Sequence, residues 1–349
     1  MPEKEFYKVK FTPYREDLGR IMLRQTAGNN GFSSDERYRF YIHEKIEEPD
    51  FWIVQGKGLR QKESCIVAPE NTLLLTTEPR SVLVYPQKYL NQFGLVCSCQ
   101  EKTKHPNLVL GPPVLPWFVG YKEKGDDVSY SIDYDDLNSG VVPEKTKLLS
   151  VITSNKSFTK GHIARIRFVE KLKEYYGDKV AVFGRGFRDF DDKWDVLAPY
   201  KYHIAIENSI QSYYWTEKLS DSFLALTFPF YYGCPNVFDY FPEKSCLPID
   251  INNFEQTVKI IDKSIQGNLY EERFNTLLQA KQLAIGKYNL FDFIASLCDK
   301  LDANRPKKEV ILHPCRSMAN WHNFLNYTIT RNYLKYTQKI KGSKLRLCF

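Results

Sequence analysis

From about residue 147 onward the chain alternates short apolar segments with amphipathic ones, and this rhythm constrains the fold more than any other feature. The segments KLLSVITS, KVAVFG, YHIAIEN and FPFYYG are predicted strands, and helical periodicity follows several of them, as in GHIARIRFVEKLKEYYG. Short apolar strands that alternate with helices predict a parallel sheet covered on both faces. Ligands of such sheets bind at the carboxyl ends of the strands.

The first 120 residues predict a second unit of the same kind. Its strand candidates are FYKVKF (6–11), DFWIVQG (50–56), NTLLLTTE (71–78) and GLVCSCQ (94–100), and PQKYLNQF has helical character. The polar, acidic stretch 122–140 is typical of a linker or a mobile loop. We therefore predict an α/β protein with an N-terminal domain at 1–145, a C-terminal domain at 146–305 and a tail at 306–349.

Composition bounds the function only loosely. In 349 residues, 49 Lys and Arg against 42 Asp and Glu leave a net charge of +7, which suits anionic small molecules, a membrane surface or nucleic acid and selects none of them.

The eight cysteines contain no CxxC pair, so scattered thiols in a reducing compartment are expected rather than disulfides or zinc. No apolar signal core opens the chain, and no run approaches the roughly 20 apolar residues that a bilayer requires. These features predict a soluble cytoplasmic protein.

The basic, aromatic tail at 321–349 leaves two interpretations open. Its spacing of Trp, Phe, Tyr and Leu among Lys and Arg fits an amphipathic helix lying on the inner face of the cytoplasmic membrane. It fits equally a solvated terminal helix that packs back on its own domain. Nucleic-acid binding is disfavoured because the positive charge concentrates at one terminus.

The segment YKYHIAIENSIQSYYWTEKLSDSF, residues 200–223, carries the densest chemistry. A Glu-Asn-Ser triplet at 207–209 follows an apolar strand, and Thr216 is a predicted helix N-cap that places Glu217 and Lys218 in the first helical turn. Unpaired N–H groups and a Lys at a helix start suit phosphate, and an adjacent carboxylate suits the vicinal hydroxyls of a ribose. The alternative is an ordinary first turn, in which Glu217 only favours the helix dipole.

The same segment resembles the signature of glycosyltransferase family 10, the α1,3/4-fucosyltransferase family. The matching elements are Ile206-Glu207-Asn208-Ser209, then Tyr214-Trp215-Thr216-Glu217-Lys218, then Pro229 with Gly233. Upstream, SNKSFTKGHIARIRFVEKL and VAVFGRG are also similar to family segments, so the resemblance covers roughly residues 148–265.

This resemblance implies a GT-B architecture, in which two Rossmann-like domains face a cleft. It also implies an inverting transfer of a sugar, by default L-fucose from GDP-fucose, onto a glycan hydroxyl. A bacterial-type enzyme that modifies a lipopolysaccharide or capsule oligosaccharide is expected, with no cofactor and no obligate metal. Other nucleotide-sugars, and a non-catalytic protein that binds glycans or nucleotide-sugars, stay open as alternatives.

Carried over by motif position, the resemblance also implies roles for individual residues. Lys218 and Arg165 would bind the diphosphate and Glu217 the ribose, and Arg185 is a weaker phosphate candidate. Arg165 and Arg167 stay alternatives, since residues two apart on a helix face different ways and only one of them can face the diphosphate; Arg165 is the preferred one. The remaining residues of the expected donor pocket are Glu207, Asn208, Ser209, Tyr214 and Thr216. Trp215 is bulkier than is usual in the family and is expected to influence the choice of sugar.

The catalytic base is expected from the N-terminal domain. Glu78 ends a predicted strand and precedes Pro79, and its surroundings resemble the family segment that carries the base, so we prefer it to Glu63 or Glu101. The acidic triplets DFD (189–191) and DYD (133–135) do not end apolar strands and are interpreted as solvated loops without metal.

Overall fold

The computed structural model describes residues 5–124, 127–153 and 160–318, and its first part is a parallel sheet. In chain order the elements are β1 (Tyr7–Thr12), β2 (Tyr38–Ile42), β3 (Phe51–Gln55), β4 (Glu63–Val67), β5 (Thr72–Leu75), α1 (Gln87–Leu90), β6 (Leu95–Ser98) and β7 (Leu108–Leu110). All strands except β4 pair in parallel in the order β2-β1-β3-β5-β6-β7. The strands β3, β5 and β6 are buried throughout, as expected of central strands covered on both faces.

The described residues of the stretch predicted as a linker instead form regular secondary structure. They form the hairpin of β8 (Tyr121–Lys124) and β9 (Asp127–Tyr130), followed by α2 (Tyr134–Asn138). The buried guanidinium of Arg24 donates to the carbonyl oxygens of Trp117 and Ile132, at 2.7 Å each. The prediction was wrong because these stabilising contacts come from residues about a hundred positions away.

The second sheet begins after this hairpin. Its elements are β10 (Lys147–Ile152), α3 (Lys160–Tyr176), β11 (Val180–Phe183), β12 (Tyr200–Ile206), α4 (Glu217–Leu224), β13 (Phe228–Tyr232), β14 (Leu247–Pro248), α5 (Phe254–Gln266) and α6 (Leu269–Ile285), and α7 (Leu290–Cys298) and β15 (Lys308–Leu312) follow. The five strands β10 to β14 pair in parallel in the order β11-β10-β12-β13-β14. The α/β class predicted from the alternation is therefore confirmed.

The chain then returns to the first sheet. Leu290, Phe291 and Ile294 of α7 are buried in the core beneath that sheet, and β15 pairs antiparallel with β4. The expected boundary at 305 assigned α7 to the second domain, and the expected tail began at 306. Both differ from the structure because the apolar face of α7 is buried against the first domain.

Residues beyond 318 lie outside the described part of the chain, and with them the predicted amphipathic tail. Within the described ranges, no helix is both long enough and apolar enough to cross a membrane.

The carboxyl ends of the two sheets meet. The hydroxyl of Ser81, in the loop that follows β5, donates to the hydroxyl of Ser209, in the loop that follows β12, at 3.2 Å. The side-chain amide of Gln211 donates to the carbonyl oxygen of Cys99, just beyond β6, at 2.9 Å. Two Rossmann-like sheets therefore face each other across a cleft at the edge where such sheets bind ligands, which is the GT-B arrangement.

Candidate active site

The carboxylate of Glu207, at the end of β12, organises the start of α4. It accepts hydrogen bonds from the backbone N–H of Thr216 at 2.8 Å and from the Thr216 hydroxyl at 2.8 and 2.9 Å. Thr216 is the N-cap of α4, as predicted. Burial raises the pKa of Glu207, while the nearby charge of Lys218 and the Thr216 donors act against that rise. The buried carboxylate therefore fixes where the first turn of α4 points.

Lys218 lies in that first turn between three oxygen acceptors. Its Nζ donates to Thr216 Oγ1 at 3.0 Å and to Glu217 Oε1 at 3.1 Å, and it lies 3.5 Å from Glu207 Oε2. Burial alone would lower the pKa of Lys218, but Glu217 and Glu207 outweigh it and raise the pKa above its ordinary value. The ammonium is therefore charged at neutral pH and held in place.

Glu217 presents a carboxylate with one oxygen in use. Burial acts to raise its pKa, but the charges of Lys218 and Lys193 prevail and lower the pKa to about 2. Its second oxygen, Oε2, is buried and accepts no hydrogen bond from any residue in the described ranges. A buried anionic oxygen in that position is suited to accept a hydrogen bond from a bound hydroxyl group.

Arg165 of α3 contacts the loop that follows β12 and lines the same pocket as Lys218. Its Nη1 donates to Asn208 Oδ1 at 2.9 Å. Burial lowers the pKa of Arg165, and the charge of Glu207 partly offsets that effect. Because arginine stays protonated at neutral pH, the site gains a second fixed positive charge.

A pocket of about 410 Å³ opens onto these groups. It is lined on its charged side by Arg165, Glu217 and Lys218, and elsewhere by the aromatic rings of Phe118, Tyr121 and Phe190 together with Thr153, Asp191, Lys193 and His203. A mixed aromatic and cationic lining of this size suits a nucleoside diphosphate.

Lys193 joins the two sides of the pocket. Its Nζ donates to Asp221 Oδ2 at 2.7 Å and to the carbonyl oxygen of Glu217 at 3.2 Å. Asp221 is fully buried and also accepts from the backbone N–H of Phe118, at 3.2 Å to its nearer oxygen. The hairpin wall of the pocket is thereby tied to the helix that carries Lys218.

His203 lies at the floor of the pocket and is uncharged. Its Nδ1 is hydrogen-bonded to the buried hydroxyl of Ser150 at 2.8 Å. Burial, with a smaller contribution from Lys193, lowers the pKa of His203 to about 3. The imidazole is therefore neutral at physiological pH.

Glu78 faces this cluster from the first domain. Its backbone carbonyl, in the loop after β5, accepts from the Gln100 side chain at 2.9 Å, and no residue in the described part of the chain donates a hydrogen bond to its carboxylate. Burial raises the pKa of Glu78, against the opposing charges of Lys218 and Lys57. A desolvated, unbonded carboxylate within electrostatic reach of Lys218 has the character of a general base.

Comparison with known proteins identifies the family. The model named "Glycosyltransferase family 10 (fucosyltransferase) C-term" matches residues 142–313, which include every charged side chain of the α4 cluster. Residues 142–313, just under half of the chain, therefore belong to glycosyltransferase family 10. The chain is 32% identical over 93 residues to the alpha-(1,3)-fucosyltransferase FucT of Helicobacter pylori, a match that covers 25% of this chain and 20% of that protein. It is 30% identical over 141 residues to the mouse 4-galactosyl-N-acetylglucosaminide 3-alpha-L-fucosyltransferase 9, covering 38% of each chain.

The matches therefore span about a fifth to two fifths of the length of these family 10 relatives. Among solved structures, an alpha1,3-fucosyltransferase with GDP overlaps at a TM-score of 0.48 and 19% identity, covering 80% of this chain and 84% of that one. An alpha-glucosyltransferase in complex with UDP-glucose and DNA overlaps at a TM-score of 0.46 and 9% identity, covering 84% and 99%.

The predicted donor-binding residues divide into three groups. Arg165, Glu217 and Lys218 line the pocket, whereas the predicted donor-pocket residues Glu207, Asn208, Tyr214 and Thr216 do not. Of these, Asn208 binds Arg165, and Glu207 and Thr216 hold the start of α4. Arg167 and Arg185 are exposed and do not line it, and Ser209 contacts Ser81 instead. Direct contact of these residues with a donor stays a prediction.

Trp215 does not lie where the sequence suggested. It is buried in an aromatic cluster, with ring centroids 5.0 Å from Phe241 and 5.6 Å from Tyr288, and it does not line the pocket. Since its ring packs in the core of the second domain, an influence on sugar choice would have to be indirect.

The acidic triplets DYD and DFD occupy different environments in the structure. Asp133 caps α2 through a capping box with Asp136, and Asp135 accepts from the backbone N–H of Gly28 at 2.9 Å, so DYD is structural. In DFD, Asp189 and Asp191 are both exposed, and only Asp191 lines the pocket. Within the described ranges, no group of three or more His, Cys, Asp or Glu side chains is placed to hold a metal ion.

Sequence reasoning missed several pocket residues. Thr153, at the end of β10, has a buried hydroxyl without a hydrogen bond to any described residue, and its strand-end position was the available signal. Phe118 and Tyr121 carried no recognisable pattern, because only the fold brings the start of the hairpin to the edge of the second sheet, and Lys193 lies in the irregular segment between β11 and β12.

Proposed function

We propose that this chain is an inverting glycosyltransferase that moves a sugar from a nucleoside diphosphate donor to a hydroxyl group of a glycan. The observation that carries the proposal is the carboxylate of Glu78, without a hydrogen-bond donor among the described residues, opposite the Lys218 and Glu217 cluster and held on a different domain. A base and a cationic leaving-group site on opposite walls of one cleft is the arrangement that a single displacement requires.

The donor diphosphate is assigned to Arg165 and Lys218, two of the three cations that line the pocket in the described part of the chain, because the third, Lys193, is paired with Asp221. Both are anchored, Arg165 by Asn208 and Lys218 by Glu217 and Thr216, so little reorganisation is needed when negative charge develops on the leaving diphosphate. Because these side chains supply the positive charge, the proposed reaction requires no metal ion. The ribose is assigned to Glu217, whose Oε2 is positioned to accept from a hydroxyl group.

In the proposed step, Glu78 removes the proton of the acceptor hydroxyl while that oxygen attacks the anomeric carbon. The new carbon–oxygen bond forms on the face opposite the diphosphate, and the bond from the anomeric carbon to the phosphate oxygen breaks. The electron pair leaves with the nucleoside diphosphate, and the proton stays on Glu78. A raised pKa makes Glu78 a stronger base once it is ionised.

The sugar is proposed to be L-fucose from GDP-fucose, since the relatives named above are fucosyltransferases. A bacterial-type lipopolysaccharide or capsule oligosaccharide is the proposed acceptor. Both assignments are finer than family membership, and a donor screen tests the first of them directly.

The test is the Glu78→Gln variant. Gln cannot accept the proton, so transfer of radiolabelled fucose should fall by about 10² to 10⁴-fold while the affinity for GDP stays within a few-fold of wild type. Glu101→Gln is the matched control, because Glu101 is an exposed carboxylate on the same domain. Turnover that survives in Glu78→Gln would remove Glu78 from the mechanism.

The pH profile provides a second readout. Burial raises the pKa of Glu78 above its ordinary value of 4.5, so wild-type kcat/KM should fall as the pH drops through that raised value, where the base becomes protonated. The acid limb of the profile should therefore lie above pH 4.5. An acid limb at or below the ordinary glutamate value would contradict the assignment.

A further inference from the structure

The loop that carries Glu78 is held at two points by one side chain. The side-chain amide of Gln100 donates to the carbonyl oxygen of Glu78 at 2.9 Å and to that of Leu83 at 2.8 Å. The chain turns between these two residues, since the N–H groups of Val82 and Leu83 both donate to the carbonyl oxygen of Pro79. Gln100 is buried, with 4% of its surface exposed, so water competes little for its two hydrogen bonds.

Gln100 is itself fixed just beyond the end of β6. Its backbone N–H donates to the hydroxyl of Ser98 at 3.0 Å, and the same hydroxyl lies 2.8 Å from that of Thr103. The hydroxyl of Thr76, just beyond β5, donates to the Ser98 oxygen at 3.3 Å. The side chain that holds the Glu78 loop is therefore built on the carboxyl ends of two central strands of the first sheet.

The residue that precedes Gln100 contacts the second domain. Gln211, in the loop that follows β12, donates from its side-chain amide to the carbonyl oxygen of Cys99 at 2.9 Å. The same loop includes Asn208, which accepts from Arg165 at 2.9 Å. A base acts only if its carboxylate is placed correctly relative to the donor. Here the neighbour of Gln100 is bonded to the loop that holds one of the proposed diphosphate ligands.

The contacts that place Glu78 act through its backbone, because no residue in the described part of the chain donates a hydrogen bond to its carboxylate. Its carbonyl oxygen accepts from Gln100 and, at 3.5 Å, from the thiol of Cys99. Tyr85 holds the preceding residue, since its hydroxyl accepts from the backbone N–H of Thr77 at 3.1 Å. A thiol is a weak donor, so the amide of Gln100 is the stronger restraint on Glu78 itself.

We infer that Gln100 is a positioning residue for the transfer, which acts through Glu78 by holding the backbone of the base loop in place. This inference rests on the proposed function, since Glu78 is the base in that proposal. A misplacement of about 1 Å in a reacting group can lower a rate by about 10²-fold. Two hydrogen bonds that set the position of a base can therefore have a large effect on the rate without contact with the substrate.

Gln100→Met tests the inference, because Met nearly keeps the length and volume of the side chain and removes both N–H donors. We expect kcat for the transfer of radiolabelled fucose to fall by about 10 to 100-fold. The Kd of GDP, measured by calorimetry, should stay within about 3-fold of wild type, because the diphosphate is assigned to the second domain. An unchanged kcat in the folded variant would overturn the assignment.

Gln92→Met is the matched control. The side-chain amide of Gln92 also donates to two backbone carbonyl oxygens of the first domain, those of Tyr89 at 3.4 Å and His313 at 3.2 Å, and neither lies in the base loop. Loss of these bonds should lower the melting temperature and leave kcat unchanged. If Gln92→Met lowered kcat as much as Gln100→Met does, the effect would not be specific to the base loop and the inference would be overturned.

A double-variant cycle separates positioning from stability. In the Glu78→Gln background the base is absent, so Gln100→Met should lower the residual transfer by less than about 3-fold. An equal loss in both backgrounds would overturn the inference, because a residue that acts only on the fold lowers activity whether or not the base is present. If Gln100→Met melts below the assay temperature, the same cycle is measured with Gln100→Asn, whose shorter side chain is expected to lose at least one of the two bonds.

Failure of this inference is distinguishable from failure of the proposed function. If Glu78→Gln abolishes transfer but Gln100→Met keeps the full kcat, Gln100 has no positioning role and the proposed function stands. If Glu78→Gln keeps the full turnover, Glu78 is not the base, so the proposed mechanism fails and this inference fails with it.

Discussion

The ion pair between Lys193 and Asp221 is expected to hold in place the carboxylate that binds the backbone N–H of Phe118, at the start of the hairpin segment, and removing either partner tests this directly. The two charged atoms lie 2.7 Å apart, Asp221 is fully buried and Lys193 has 12% of its side chain exposed. Burial raises the pKa of Asp221, and Lys193 acts against that rise, so the carboxylate depends on its partner to stay ionised. Breaking a buried pair on one side leaves an uncompensated charge and costs about 3–5 kcal/mol.

The two single variants leave different defects. Lys193→Met leaves the carboxylate of Asp221 with only the backbone N–H of Phe118, whereas Asp221→Asn leaves the ammonium with only the carbonyl oxygen of Glu217. Each should lower the melting temperature by roughly 6–20 °C, at about 2–4 °C for each kcal/mol in a domain of this size. The double variant removes both charges and should lose less than the sum of the two single losses.

Thermal unfolding of the four proteins, measured by calorimetry at pH 7, gives the coupling free energy. Lys201→Met is the matched control, because Lys201 pairs with Glu271 at the surface, where the two side chains are 34% and 49% exposed. An exposed pair contributes about 0–1 kcal/mol, so its loss should shift melting only slightly. Single variants that melt like the control, or a double variant that loses the full sum, would refute the reasoning.

The remaining predictions concern a glycine and a second buried lysine. A Cβ at Gly233 would lie 2.4 Å from the Tyr231 hydroxyl and 2.5 Å from Glu207 Cγ, so Gly233→Ala should displace Glu207 and weaken GDP binding by about 10-fold, which calorimetry would detect. Lys145 donates to two backbone carbonyls and one hydroxyl, and burial, with Lys281 nearby, lowers its pKa from 10.5 to about 7. Between those values the unfolded chain binds the extra proton, so wild-type stability should rise from pH 7 to 10 relative to Lys145→Met, and parallel melting curves for the two proteins would contradict this.

Where an element depends on local pattern, the sequence was sufficient to predict it. The apolar strands and helical periodicity predicted the second sheet closely, since YHIAIEN became β12 and TEKLSDSFLALT became α4. The N-cap role of Thr216 followed from the same local rules, because a cap is stabilised by atoms within a few residues of itself.

Where an element is held by contacts with residues distant in the sequence, the sequence was not sufficient to predict it. The hairpin β8–β9 is too polar to predict from its own residues, and Arg24, Asp192 and Asp221 hold it from distant positions. The return of α7 to the first sheet is a property of tertiary packing, because an amphipathic helix does not specify which of two apolar surfaces it covers. The predicted location of Trp215 near the pocket was wrong for the same reason.

The charges buried around the pocket explain why binding and stability are linked in this chain. Lys218 is opposed by Glu207 and Glu217, and Lys193 by Asp221, so the buried cations have carboxylate partners before any ligand arrives. Such pairs contribute little net stability relative to apolar packing, because desolvation offsets their attraction. Their contribution is geometric, because they hold the cations and a carboxylate oxygen in fixed positions before a ligand binds. Without these pairs, a bound diphosphate and ribose would have to order the same side chains. A variant that replaces this network with apolar side chains should therefore fold at least as well and bind nucleotide poorly, as expected where a site is preorganised at the expense of stability.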